Sequence, residues 1–353
     1  MNTKPEYYFA AMNTPSGFRS YFSEIFDHTD RLFIIKGGPG TGKSRFMKDV
    51  GRKAEESGST VEYFLCSSDP TSLDGIIIYE QKGGITAKTA VIDGTSPHAY
   101  EPKLAGVKDH ILNFGDFWDP HVLYSKRNEI TALTEAKKQL YTNVYSLLSV
   151  IGELDRMTRS YTEAAVCTDK LEATVGKLTG WIGKGCNYSE KVRLRGAISC
   201  EGTVNLPTYA EKAEFKYAIT DRLFSADIFM EKLKKELQKL GVAIHASYSP
   251  RSPETPDAIY IPQIDTSFYI GCQCVDGEQT VSMRKLISTE KLAPYKTKLR
   301  EINKLRRETE AMLQKDFSTI RTLHGEIEKI YGTAMDFTKK EAFTEKFIRE
   351  NFN

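Results

Sequence analysis

Eight consecutive residues, Gly37, Gly38, Pro39, Gly40, Thr41, Gly42, Lys43 and Ser44, carry the spacing G-x-x-x-x-G-K-[ST]. Glycines let such a loop turn successive N–H groups inward, and with the N-terminus of a following helix they make a cradle for the β-phosphate of a nucleotide. Lys43 would reach the β- and γ-phosphates, and the Ser44 hydroxyl would coordinate Mg²⁺. The spacing has this meaning only between a strand and a helix. Both flanks comply, because the apolar residues 31–36 precede the loop and a helix-compatible stretch follows it to about residue 57.

Magnesium takes hard oxygen ligands, so an acidic residue is expected at the end of a neighbouring strand. Asp93 fits, since it ends the apolar run 89–92 and is followed by Gly94, Thr95 and Ser96 in a loop leaving the sheet edge where ligands bind. Lys43 and Asp93 are therefore the expected catalytic residues, and Ser44 and Asp93 the expected metal ligands. A glutamate after Asp93 would supply a general base, but Gly94 stands there. Glu80, Asp69 and His98 are candidates for holding an attacking water.

These residues need an α/β scaffold. Strands are expected over residues 31–36, 60–66, 75–79, 89–92 and 110–114, and their alternation with helices or loops predicts a parallel sheet. From residue 125 to about 175 apolar side chains recur every three or four positions, among them Ile130, Leu133, Leu140, Val144, Leu148 and Ile151, which predicts long amphipathic helices. A glycine-rich stretch closes that segment, strand-like sequence returns, and helical spacing resumes over 289–350. The expected organisation is an α/β nucleotide domain over 1–124, helices over 125–185, a second α/β domain over 186–288 and helices over 289–353.

The order repeats, and so do residues. A shift of 183 positions pairs Phe46 with Phe229, Gly58 with Gly241, Pro70 with Pro253, Asp74 with Asp257, Ile76 with Ile259 and Asp93 with Asp276. Periodicity alone does not align Gly, Pro and Asp at one offset, so the chain reads as a tandem duplication. The same shift puts Gly37 on Thr220, Gly40 on Leu223, Gly42 on Ser225, Lys43 on Ala226 and Ser44 on Asp227. Every chemically required position is changed, so the second copy is expected to be a degenerate scaffold.

The runs LFIIKGGPGTGKSRFMKDV, CSSDPTSLDGIIIYE, AVIDGTSPHAYEPK and NFGDFWD resemble an uncharacterised family of bacterial, mainly Firmicute, P-loop ATPases built from two similar halves. The resemblance implies a P-loop NTPase fold and ATP binding at residues 37–44, with Asp93 beside them. An Asn-Lys-x-Asp guanine signature is absent, which favours ATP over GTP, and no Leu-Ser-Gly-Gly signature points to an ABC-type sandwich. The leading expectation is Mg²⁺-dependent ATP hydrolysis that moves the helical segments or engages a partner. The alternatives are a small-molecule kinase, with Thr95, Ser96, His98 and Tyr100 lining an acceptor pocket, and a module that senses ATP without turnover.

With 353 residues, 40% of them hydrophobic and 27% charged, the chain has the composition of a globular protein of two domains or three small ones. Its net charge of +2 generates no long-range field for nucleic acid or an anionic bilayer. Glutamates interleave with the basic residues at 296–307, so a solvated helix face is expected there rather than a nucleic-acid surface. The six cysteines, Cys66, Cys167, Cys186, Cys200, Cys272 and Cys274, show no CxxC spacing and read as reduced thiols. No apolar run approaches the ~18 residues of a membrane span, and the start of the chain lacks a signal-peptide core, which predicts a cytoplasmic protein.

Overall fold

A computed structural model describes residues 4–221, 223–271 and 277–352; Cys272, Cys274 and Asp276 lie outside the described residues. The first half contributes strands β1 (Glu6–Phe9), β2 (Ala11–Thr14), β3 (Gly17–Ser20), β4 (Arg31–Lys36), β5 (Thr60–Leu65), β6 (Leu73–Lys82), β7 (Ile85–Asp93) and β8 (Asp109–Asn113). Its helices are α1 (Phe22–Phe26), α2 (Lys43–Glu56), α3 (Pro120–Ser125), α4 (Arg127–Glu163) and α5 (Thr168–Thr179). The second half gives β9 (Ser189–Val192), β10 (Gly196–Ser199), β11 (Gly202–Asn205), β12 (Phe215–Thr220), β13 (Ala243–Tyr248), β14 (Pro256–Ile261), β15 (Thr266–Ile270) and β16 (Glu278–Ser282). Its helices are α6 (Thr208–Lys212), α7 (Ala226–Leu240), α8 (Thr289–Leu292), α9 (Lys296–Ala334) and α10 (Phe337–Asn351).

The two six-stranded sheets have the same plan. One runs β1-β5-β6-β7-β4-β8 and the other β9-β13-β14-β15-β12-β16, each with a two-stranded hairpin beside it. Element for element, the second half repeats the first, consistent with a tandem duplication. Both sheets are mixed rather than parallel, because β6 runs antiparallel to β5 and β7, and β14 antiparallel to β13 and β15. The cause is local: β6 and β7 are joined by Gly83 and Gly84, both at positive φ, a tight hairpin link that can connect only antiparallel strands. In β4, the buried run Leu32, Phe33, Ile34 and Ile35 suits a central strand covered on both faces.

The halves are interlocked. A shift of 169 relates the later elements of each half. The isolated bridges Trp118 to Met335 and Val166 to Ile287 exchange under it, the signature of a pseudo-twofold relation. α4 and α9 lie antiparallel, as the contacts Lys137 with His324 and Arg306 with Asp155 at opposite ends require. Their seam is apolar, with Val144, Leu148 and Ile151 against Leu313, Phe317 and Ile320. Beyond the seam each half's last helix crosses over. Leu171 and Val175 of α5 join the core formed by Phe229, Leu233 and Ile259 of the second half. Phe347 and Phe352, at the end of the chain, join Phe33, Phe46 and Val50 of the first.

A buried ion cluster also crosses between halves. Glu62 on β5 accepts from Arg193 at 2.7 Å and from Lys191 at 2.8 Å, and Tyr79 donates to it at 2.8 Å. Burial would raise the Glu62 carboxyl, but the two cations outweigh it and hold it far below the usual range. Among the described residues, no helix is long and apolar enough to cross a membrane.

Candidate functional site

β4 delivers the chain into the glycine loop and α2 takes it away. Gly40 at φ +69° and Gly42 at φ +79° hold the left-handed conformation that makes the turn, and Gly42 is the N-cap of α2. The first turn of α2 contains no acidic residue, so the partial positive charge of its N-terminus is not neutralised there. Thr41 Oγ1 donates to the carbonyl of Gly38 at 2.9 Å, tying the loop across its base.

The predicted site residues come together. Lys43 folds back along the loop, and its Nζ donates to the carbonyls of Gly37 at 2.8 Å and Gly38 at 2.9 Å. The same ammonium lies 3.4 Å from Oδ2 of Asp93, with both side chains mostly buried. The register explains this: β4 and β7 are parallel neighbours with Ile35 opposite Asp93, so the carboxylate emerges beside the loop. Oδ1 of Asp93 accepts from the N–H of Thr95 at 2.9 Å and from its hydroxyl at 2.5 Å, which fixes the carboxylate. Ser44 Oγ accepts from the N–H of Leu73 at 3.0 Å, linking α2 to the start of β6. A serine hydroxyl and a carboxylate supply the hard oxygens that a nucleotide-bound Mg²⁺ takes beside phosphate and water, so the donor set fits that ion. Among the described residues no cluster of three or more His, Cys, Asp and Glu is arranged to hold a metal by itself.

The candidates for water activation separate. Glu80 pairs with Ala87 at the far end of the β6–β7 ladder, six residues along from Asp93 and so about 20 Å away. His98 is buried, 3.1 Å from Asp74 and stacked on Phe22. Burial favours the neutral imidazole, but the Asp74 carboxylate outweighs it and raises His98 above the ordinary histidine value. Asp69 closes its own turn by accepting from Thr71. Of the four residues expected to line an acceptor pocket beyond Asp93, Tyr100 is buried and bonded to Asp27, the His98 side chain is enclosed beside Asp74, Thr95 is engaged by Asp93, and Ser96 is exposed.

Sequence reasoning missed what covers the loop. The outer face of the loop is crowned by α9, from the other half. A Cβ placed on Gly38 would meet the Tyr331 ring at 2.5 Å, and one on Gly40 would meet the backbone oxygen of Glu328 at 2.6 Å. One turn earlier, His324 contacts Lys137 of α4 at 3.3 Å, and burial together with that cation pushes the imidazole below its ordinary value.

The second half shows what the degenerate loop became. It is one residue shorter, with five residues between β12 and α7 where six separate β4 from α2. Asp221 therefore follows its strand where Gly37 follows β4. Its carboxylate accepts from the N–H groups of Leu223 at 2.9 Å and Ala226 at 2.8 Å and from the Ser225 hydroxyl at 2.7 Å. An internal anion thus caps α7. Asp227, in the first turn, is buried, and that burial raises its carboxyl to about 7. The register also corrects the pairing of Asp93 with Asp276. Gly94 donates to the carbonyl of Ile35, and Gly271 donates to that of Ile219, so the residue equivalent to Asp93 is Ile270.

No protein-family model, curated protein or solved structure matches the chain.

Proposed function

We propose that the chain is a P-loop NTPase of the resembled two-half family that binds one ATP at residues 37–44 and hydrolyses it with Mg²⁺. The observation that supports this best is Lys43 held by the Gly37 and Gly38 carbonyls beside Asp93, at the uncapped N-terminus of a 14-residue helix. In this reading the loop N–H groups and Lys43 bind the phosphates, while Ser44 and Asp93 hold the magnesium ion, which neutralises charge on the leaving phosphates. Lys43 is kept in place by its carbonyl partners, so little reorganisation accompanies binding. Because α9 rests on Gly38 and Gly40, any adjustment of the loop on binding or release acts directly on the long antiparallel helices, and these are the moving part we assign to the cycle.

Gly94, which puts no carboxylate next to Asp93, favours a second reading in which ATP is sensed without turnover. Isothermal titration and phosphate release on the wild type and Lys43→Ala decide between them. Binding with phosphate release supports hydrolysis, and binding alone supports sensing. Wild-type affinity in folded Lys43→Ala would refute the loop as the site.

A further inference from the structure

Beside the loop that retains its glycines lies a largely buried lysine whose ammonium has no ion-pair partner. Lys340 belongs to the first turn of α10, the last helix of the second half, and is 4% exposed. Its side chain runs to the N-terminus of α2. A Cβ placed on Gly42 would lie 3.4 Å from Lys340 Cε and 3.7 Å from its Nζ. Among the described residues, no carboxylate or other acceptor lies within bonding distance of that ammonium, and Asp49 and Glu341 influence it only from farther off. Asp49 is already engaged by Arg45 and Arg52.

The side chain is enclosed while its ammonium opens on the cleft between α2 and α10, and a cation held there against the positive end of a helix is disfavoured on two counts, partial loss of hydration and repulsion by the helix dipole. Lys43 and Arg45 add further positive charge to the same turn. Burial accordingly pushes the Lys340 ammonium below the ordinary lysine value, with Asp49 opposing. The duplication supplies an internal control. Under the shift of 169 that relates the later elements, Lys340 corresponds to Leu171, the fourth residue of α5, as Lys340 is the fourth of α10. Leu171 is buried in the second half's core, next to the helix that Asp221 caps. A buried position that packs well as leucine beside the self-neutralised loop holds lysine beside the loop that has no anion of its own.

We propose that Lys340 is a phosphate-binding residue of the first half's site, supplied by the second half, its ammonium contacting an oxygen of the phosphate chain at the α2 N-terminus. This rests on the nucleotide reading above. The site would then be built from both halves of the chain, with a phosphate oxygen of the ligand as the partner of the Lys340 ammonium.

The experiment compares full-length wild type, Lys340→Leu, Lys340→Arg and Lys43→Ala. Affinity for Mg·ATP is measured by isothermal titration, and thermal unfolding is followed with and without ATP. A charge-assisted hydrogen bond at this position corresponds to a loss of about ten- to hundredfold in ATP affinity for Lys340→Leu. Lys340→Arg should lie within a few-fold of wild type. Without ATP, Lys340→Leu should melt at or above wild type, because the substitution removes a partly dehydrated charge that lies against the α2 N-terminus and has no ion-pair partner, and the gain in melting temperature on adding ATP should shrink. A packing lysine would behave oppositely, so a lowered ATP-free melting temperature, or failure of the leucine variant to fold, overturns the proposal. ATP affinity within twofold of wild type in Lys340→Leu, with Lys43→Ala impaired, overturns it while leaving the nucleotide site standing. Absence of ATP binding by wild type, or its persistence in Lys43→Ala, refutes the underlying nucleotide reading instead.

Discussion

Gly40→Ala tests whether the second half's long helix is seated on the loop. Gly40 adopts φ +69°, where an L-side chain costs roughly 1–2 kcal/mol of conformational energy. The added methyl would lie 2.6 Å from the Glu328 oxygen and 3.0 Å from its Cα, and both are backbone atoms that no rotamer change can remove. The α9 backbone must therefore retreat, at the roughly 1–3 kcal/mol typical of overpacking. Gly58→Ala is the matched control, because Gly58 has φ +87° and open space around the would-be Cβ. Both variants carry the conformational cost, and only Gly40→Ala carries the steric one. Urea unfolding should place Gly40→Ala about 1–3 kcal/mol below Gly58→Ala, with faster amide exchange over residues 325–334 in the former alone. Equal stability of the two variants, or unchanged exchange in α9, would refute the seating of α9 on the loop.

Three further outcomes are expected. Asp93→Asn should reduce Mg²⁺-dependent phosphate release more than ATP affinity, since it removes charge held beside Lys43, and the result to set against it is Asp74→Asn proving the more damaging for metal dependence. Titration should give one ATP per chain in wild type and still one in Ala226→Lys, because Asp221 already occupies the α7 N-terminus; a stoichiometry of two in either protein would contradict this. His98 is raised above the histidine value of 6.5 by Asp74, so its stabilising contribution is complete below about pH 6.5 and disappears as pH rises through the higher folded value. The difference in melting temperature between wild type and His98→Gln should therefore shrink from pH 6 towards pH 8, and a difference that does not change with pH would exclude the ion pair.

Much of the candidate site was legible because the motif places its own flanks. Residues 31–36 are β4 and helix α2 begins at Lys43, as the pattern demands. Asp93 was legible as the polar end of an apolar strand. The mixed direction of the sheet was not, because an apolar run such as Ile76, Ile77 and Ile78 has the same composition in either orientation. The short strands β1, β2 and β3 were missed for a related reason: Glu6 to Ser20 lacks clean alternation and is held by contacts from distant chain, such as the bond from Phe9 to Leu194 and that from Asn13 to Ile198. The long helices were evident from spacing, but which face would meet the loop was not. Lys340 reads as an ordinary surface lysine until the 169-residue shift sets it against Leu171, and the more visible shift of 183 does not reach that far. The same limit misplaced the counterpart of Asp93, since the β14–β15 hairpin is shorter than the β6–β7 hairpin and the offset has already changed before Asp93 is reached.

The crossing of the terminal helices has a consequence for biosynthesis. As the chain leaves the ribosome, the first sheet emerges complete in its strands, but the aromatic face formed by Phe33, Phe46 and Phe114 lacks Phe343, Phe347 and Phe352, which are made only after the whole second sheet. That face is therefore exposed throughout synthesis of the second half, a period of tens of seconds at about 5–20 residues per second. The amino-terminal half on its own would expose that aromatic face, and a premature stop before α10 would remove cover from the first sheet, which is made before the second sheet begins. Closure of this face must wait until α10 has left the ribosome, and a chaperone binding the nascent protein has a defined surface to shield.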